Sequence, residues 1–417
     1  MIFRLSILLL TIGAVSAKDP ITEATKNPMS LLPTGSVLHG VLLPRYDKDR
    51  KLVGDLKAEI MTLIDPELIQ GDTIRIQFYQ PDGSLRGKIQ LQKAVFNQTT
   101  SRLRADEPVR IDTDRLVANG AGLIYAFQQG QGFLIGPAST RISYPDSSTT
   151  MRSTPTKTAA LVALGLTHST PNGPAATVPA ETKPSAIHAT GISTEETLDR
   201  LEESIQDSLR EDLASSEQAS KSAREFAKSS GLQHRISDSQ NEAAPLETAQ
   251  SPNDTVIRCD GGMYFDAEAG VLVYLKNVSV DDPRFTLKGA DELKVFFAKK
   301  EPQKTDPAEK KETAPESRSL GVNASFGDVQ KIIATGTVHL LQKSVAGKPP
   351  VEASGGLLTY DIPKGEIIIS QRYPWVKQGT FYARARQPNL TLRILNNGSF
   401  STQGNWEMGG RLKLDGR

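Results

Sequence analysis

The feature that most limits how this chain can fold is a regular alternation of apolar and polar side chains in its two outer parts. Leu56, Ala58 and Ile60 alternate with Lys57 and Glu59, and Ile74, Ile76 and Phe78 alternate with Arg75 and Gln77. Val109 and Ile111 alternate with Arg110 and Asp112. Downstream, Phe285 and Leu287 alternate with Arg284, Thr286 and Lys288, and the triplets Leu293-Val295-Phe297 and Leu390-Leu392-Ile394 repeat the pattern. Residues two apart share one face of a strand, so each segment has one apolar and one polar face. That suits antiparallel sheets, because buried parallel strands are apolar on both faces. Pro81-Asp82-Gly83, Pro363-Lys364-Gly365 and Asn396-Asn397-Gly398 mark turns between such segments. The chain is therefore expected to be mainly β.

One local unit recurs. Ala118-Asn119-Gly120-Ala121-Gly122-Leu123-Ile124-Tyr125 is followed by Gly130. Ala353-Ser354-Gly355-Gly356-Leu357-Leu358-Thr359-Tyr360 is followed, at the same spacing, by Gly365. Gly261-Gly262-Met263-Tyr264-Phe265-Asp266 is followed by Gly270. Small residues, apolar residues, an aromatic and a closing glycine describe a hairpin in which the aromatic fills the inner face and Gly takes the positive φ of the turn. Its repetition predicts a stack of similar hairpins; the other reading is chance similarity between short hairpins.

The middle of the chain differs. Tyr144 to Pro184 is rich in Pro, Ser, Thr and Ala and reads as linker. Ser193-Thr194-Glu195-Glu196 is a capping box that starts a helix. Leu198, Leu201, Ile205, Leu209 and Leu213 then form one narrow apolar stripe, fitting a surface helix or a short coiled coil. A second polar stretch runs from Gln233 to Pro252, and Lys299 to Ser319 is a Lys-, Glu- and Pro-rich loop. The expected organisation is a signal peptide over residues 1–17, an N-terminal β domain over 30–141, and a linker over 142–253 with a helix at about 193–229. A C-terminal β domain over 254–413 follows, carrying the charged loop 299–319.

Arg4, the apolar run Leu5 to Val15, and Val15-Ser16-Ala17 before Lys18-Asp19 are the parts of a cleavable export signal, with an uncleaved anchor as the alternative. A net charge of +1 gives no field that would attract nucleic acid. The single cysteine, Cys259, excludes an internal disulfide and a Cys-based zinc site, and fits a buried strand residue. His39, His168, His188, His234 and His339 are scattered, with no second ligand at metal spacing. No nucleophile elbow, P-loop or His-Glu-x-x-His motif occurs. The carboxylate pairs Asp112/Asp114 and Asp281/Asp282 fit strand ends and turns. Six Asn-x-Ser/Thr sequons, at Asn97, Asn277 and Asn389 among others, fit ordinary strand composition better than glycan sites. No enzyme activity, cofactor or metal is expected.

These residues resemble the OstA-like family, which comprises the periplasmic lipopolysaccharide-transport proteins LptA and LptC and the N-terminal part of LptD. Ile333-Ala334-Thr335-Gly336-Thr337-Val338-His339-Leu340 resembles its "A-x-G-x-V" strand. Ala353 to Asp361 with Gly365-Glu366-Ile367-Ile368-Ile369 resembles the hairpin that follows, and Tyr373-Pro374-Trp375-Val376 its "G-x-P-x-v" segment. Residues 54–138 are similar to a more divergent copy. The linker, the helix and the charged loop depart from the family's compact plan.

The resemblance implies two β-jellyroll domains, twisted half-open sandwiches that stack edge to edge by strand addition. It further implies an apolar inner groove for the acyl chains of lipopolysaccharide or a related lipid, in a periplasmic protein at most peripheral to a membrane. The groove candidates are Ile74, Ile76, Phe78, Phe265, Phe285, Leu287, Leu293, Val295, Val338, Leu340, Leu390, Leu392 and Ile394; for any single one of them core packing is the better reading. Three functions follow: a lipid-transport component, an envelope scaffold that joins other OstA-like domains through edge strands without lipid, and, weakest, a secreted hydrolase with an unrecognised site.

Overall fold

A computed structural model of the chain describes residues 32–46, 50–80, 82–144, 194–232, 247–298, 327–344 and 347–410. The export signal, the linker beyond Tyr144 and the charged loop 299–319 lie outside the described residues, as do the side chains of Leu198, Leu201 and Ile205.

The chain is mainly β. Eight strands precede the helix: β1 (Val37–Tyr46), β2 (Leu52–Leu63), β3 (Leu68–Tyr79), β4 (Leu85–Asn97), β5 (Arg102–Ala105), β6 (Val109–Thr113), β7 (Leu116–Ala126) and β8 (Gln131–Ile142). Helix α1 spans Thr194–Ser229. Then come β9 (Thr255–Cys259), β10 (Gly262–Asp266), β11 (Val271–Asp281), β12 (Phe285–Phe297), β13 (Val329–Gln342), β14 (Val351–Asp361), β15 (Glu366–Ser370), β16 (Trp375–Gln378), β17 (Phe381–Ala385), β18 (Leu392–Leu395), β19 (Phe400–Thr402) and β20 (Trp406–Gly409). Each described pairing is antiparallel, as the one-faced alternation requires.

Several consecutive strands are single bent strands. β5 and β6 together pair with β4 on one side and β7 on the other. β9 and β10 do the same between β8 and β11, and β15 and β16 pair along β14. The bends lie in register from strand to strand and form one crease. It passes Thr73 (φ 49°) in β3, Ala121 in β7, Gly136 in β8, Lys276 and Asn277 in β11, Gly336 in β13 and Gln371 to Tyr373 after β15. The sheet folds along this line into two leaves, a jellyroll-like sandwich. Leaf A carries Leu123, Tyr125, Leu134, Phe265 and Tyr360, and leaf B carries Ala118, Ala138, Ile257, Val280 and Phe285. Their inner faces meet: Phe285 of leaf B packs edge-on against Tyr360 of leaf A at 5.5 Å between ring centres.

The small residues of the recurring unit sit in this crease, inside their strands, rather than before them. The reason is space. A Cβ on Gly136 would lie 2.0 Å from the Asp260 carbonyl oxygen, and one on Gly122 would lie 2.7 Å from that of Ala105. The closing glycines hold the turns as expected: Gly130, Gly270 and Gly365 have φ of 62°, 67° and 62°. The aromatics before them, Tyr125, Phe265 and Tyr360, are buried.

The sheet does not stop at the linker. β8 runs on into β9 and β10, with Ala138 opposite Cys259 and Ile135 opposite Gly262. The 142–253 segment is thus an excursion from a hairpin whose two strands are neighbours. Helix α1 crosses the outer face of leaf A. Asp212 pairs with Lys331 of β13, and Ser220 and Arg224 donate to Glu292 of β12 at 2.7 and 2.6 Å. Phe226 packs on Tyr264 of β10, and Arg102 of β5 donates to the Ser229 carbonyl at 3.0 Å. The docking face is Ala219, Ala223, Phe226 and Ala227 against Ile124, Phe133, Tyr264 and Val273. It continues the line of Leu209 into small residues, which let the helix approach closely. The strands beneath are apolar on both faces, as in Val271-Leu272-Val273-Tyr274-Leu275.

Candidate acyl-chain slot

The candidate site is the space between the inner faces of the two leaves. Each strand bends at the crease, and bulges there reset the alternation so that the apolar residues of both halves turn inward. Ile74, Ile76, Phe265, Phe285, Leu287, Leu293, Val295, Val338, Leu340, Leu392 and Ile394 join one apolar body, with Phe78 packed against its rim. Leu390 does not join it; it precedes β18 and lies beside Gly404.

Packing varies along the slot. In the middle Leu293, Val295, Val338 and Leu340 are 0% exposed, and the large side chains of Tyr125, Tyr274 and Tyr360 are buried in the same apolar body. At the β1 end the inner residues Leu38, Val41, Leu43, Leu56 and Phe78 are only half-buried, and at the far end so are Phe381, Phe400 and Trp406. The slot is filled by side chains at its centre and only partly covered at both ends. A groove of about 730 Å³ runs along the β1 stretch of the crease. Its lining mixes Val41, Ala58, Ile74, Leu91 and Val109 with the outer-face residues Lys57, Glu59, Arg75, Gln90, Arg110 and Asn119, so it lies where the crease opens to the polar face and not within the filled slot.

Polar groups meet the slot at two places. In the C-terminal half, Asp282 is 1% exposed and accepts from Thr255 Oγ1 at 2.6 Å and from Arg284 Nε and Nη2 at 2.8 and 3.0 Å. Burial alone would raise its carboxyl, but these donors outweigh burial and hold it below the usual carboxylate range. The same Arg284 guanidinium lies over the Tyr360 ring at 5.3 Å. In the N-terminal half, Arg45 of β1 is half-buried, and burial lowers its guanidinium below the usual range. Sequence reading singled out neither arginine, because a lone Arg in a strand carries no spacing signal.

The two edges of the sheet complete the site. Among the described residues β1 pairs only with β2, and β19 and β20 only with β18 and β17. Val37, Leu42 and Tyr46 on β1 are 51%, 54% and 60% exposed, and Met408 on β20 is 57% exposed. Cys259 is buried on the inner face, and burial pushes its thiol up to about 12. His339 pairs with Glu352 at 3.0 Å on a half-exposed face. Among the described residues no group of His, Cys, Asp and Glu could hold a metal ion, and no helix is long and apolar enough to cross a membrane.

No family model and no curated protein matches the chain. Among solved structures it is similar to LptH, the LptA-homologous periplasmic component of the conserved lipopolysaccharide transport device of Pseudomonas aeruginosa. The identity is 13%, the match covers 38% of this chain and 94% of LptH, and the TM-score is 0.27. At that score the likeness carries no functional argument, which rests on the geometry above.

Proposed function

We propose that this chain is a lipid-transport component of the cell envelope. Its slot takes the acyl chains of lipopolysaccharide or a related lipid, and its edge strands join other OstA-like domains. The observation that carries the reading is one apolar inner face continuous through both halves, half-open at each end, beside an unpaired edge strand. Each methylene drawn from water into such a slot contributes about 0.8 kcal/mol, and an unpaired edge offers its backbone N–H and C=O groups to a further strand. On this reading residues 30–141 and 254–413 are two copies of one unit, already joined within the chain by the kind of edge pairing proposed between chains. The role is non-enzymatic, needs no cofactor and places the mature protein in the periplasm. Delipidated protein is expected to bind lipopolysaccharide saturably; a titration with no saturable signal would sink the proposal.

One observation favours a second reading, a scaffold that joins partners by strand addition without lipid: the centre of the slot is already filled by side chains that are 0–2% exposed. Capture of an OstA-like partner that is unaffected by lipid would favour the scaffold.

A further inference from the structure

One row of outward side chains on leaf B gathers cations across the sheet. Its members stand between inner-face residues, as Arg75 does between Ile74 and Ile76 and Arg258 between Ile257 and Cys259. Cross-strand partners share a face, so the pairing defines the row. Lys57 stands opposite Arg75, Gln90 lies between Arg75 and Arg110, and Asn119 and Ser139 lie between Arg110 and Arg258. Past Ser279 come Lys288 and, beyond His339, Ser354 and Trp375, Arg384. From Lys57 to Arg384 the row holds no carboxylate; Glu407 ends it, opposite Arg384. The neighbouring row mixes its signs, with Lys88 opposite Asp112 at 3.5 Å. Like charges set directly opposite each other, as at Lys57 and Arg75, oppose sheet formation. At about 4.8 Å per strand the basic row is roughly 55–60 Å long.

Glu247 already sits on this row. Its carboxylate accepts from Arg110 and Asn119 at 2.6 and 2.8 Å, its backbone N–H donates to Ser139 Oγ at 2.8 Å, and its carbonyl accepts from Arg258 Nη2 at 3.0 Å. The row thus holds both the side chain and the main chain of an acidic peptide residue. To either side of this seat Lys57, Arg75, Lys288 and Arg384 are exposed. The groove of about 730 Å³ opens onto Lys57 and Arg75, with Glu59 also in its lining. Adjacent strands are rotated by about 20–25°, so a flat membrane meets only a short stretch of the row, whereas an extended chain can follow it.

We infer that this row is a docking track for an extended acidic segment of a partner protein, continuing the contact that Glu247 makes within the chain. The exposed cations attract such a segment and fix its register. The track lies on the face opposite the slot, so it stands or falls independently of the acyl-chain reading.

Fluorescence anisotropy with the full chain tests it, using a labelled twenty-residue polyglutamate, long enough when extended to span the row, and a Gly-Ser peptide of the same length. Saturable binding of polyglutamate that weakens as salt rises is expected, with none of the Gly-Ser peptide. Lys57→Gln, Arg75→Gln and Lys288→Gln each weaken it about two- to fivefold, the scale of one exposed charge contact. Lys228→Gln, on α1 over the other leaf, leaves it unchanged, and all four variants melt like the wild type. Absence of binding overturns the inference, as does equal weakening by Lys228→Gln, which would report net charge alone. Tighter binding of an oligogalacturonate of the same charge, or of phosphatidylglycerol vesicles, overturns it in favour of a glycan or a membrane.

Discussion

Glu247 and Arg110 meet at 2.6 Å across a sequence separation of 137 residues. The contact fastens the end of the long excursion to the outer face of leaf B. The Glu247 carboxylate also accepts from Asn119 at 2.8 Å and from Arg141 at 3.3 Å, and its backbone N–H donates to Ser139 Oγ at 2.8 Å. With α1 on leaf A, the excursion straps both outer faces of the sandwich.

Glu247→Ala leaves a half-buried cluster of donors without their acceptor. It is expected to cost about 1–3 kcal/mol, the range for a lost buried acceptor. Chemical denaturation checks this through a lower midpoint at unchanged slope. An unchanged midpoint would mean the strap does not hold leaf B.

Docking of α1 is expected to weaken in acid. Burial would raise the Glu292 carboxyl, but hydrogen bonds from Lys294, Ser220 and Arg224, with the charge of Lys294, outweigh it and hold the carboxyl at about 2 against 4.5 for a free Glu. A carboxyl lowered in the folded state stabilises fully above its unfolded value, and that contribution is lost as pH falls through the folded one. The loss therefore runs from about pH 4.5 down to about 2. The protection factor of residues 206–229, corrected for the pH dependence of intrinsic exchange, is expected to fall through that window in the wild type, whereas Glu292→Gln is poorly protected already at neutral pH. A wild-type helix equally protected at pH 7 and pH 2.5 would contradict the account.

Gly136→Ala places a methyl group against the Asp260 carbonyl, where β8 passes into the bend between β9 and β10. No flexible side chain can give way there, so the two strands must part. We expect a loss of about 1–3 kcal/mol, as for overpacking in a tight site, with exchange rising first in residues 255–266. If the variant melts like the wild type, the two halves are not joined at this seam.

Much of this was legible in the sequence because alternation of period two reports a one-faced strand directly. Ile74-Ile76-Phe78 and Leu293-Val295-Phe297 lie in strands facing the inner space, and the turns at Gly83, Gly365 and Gly398 are hairpins. The capping box at Ser193 marked the start of the helix within one residue. The crease was not legible. Gly120-Ala121-Gly122 and Gly355-Gly356 look like turn residues, and only the fold shows that they are small because neighbouring backbone passes within a few ångströms. The helix-docking face was also hidden, since Ala219, Ala223 and Ala227 carry little hydrophobic signal; the double-sided apolar run Val271 to Leu275 was the cue that something covers the outer face. Glu247 meets Arg110 across a sequence separation of 137 residues, and no local pattern predicts that.

The central claim is that the inner face of the slot meets lipid, and photocrosslinking from its open mouth tests that most directly. A photoreactive residue at Phe78, half-buried on the inner face of β3, is compared with one at its neighbour Gln77 on the opposite face. After incubation with lipopolysaccharide, a crosslink at position 78 and none at position 77 is the predicted result. Silence at both positions in folded protein, or equal labelling of both, would contradict it.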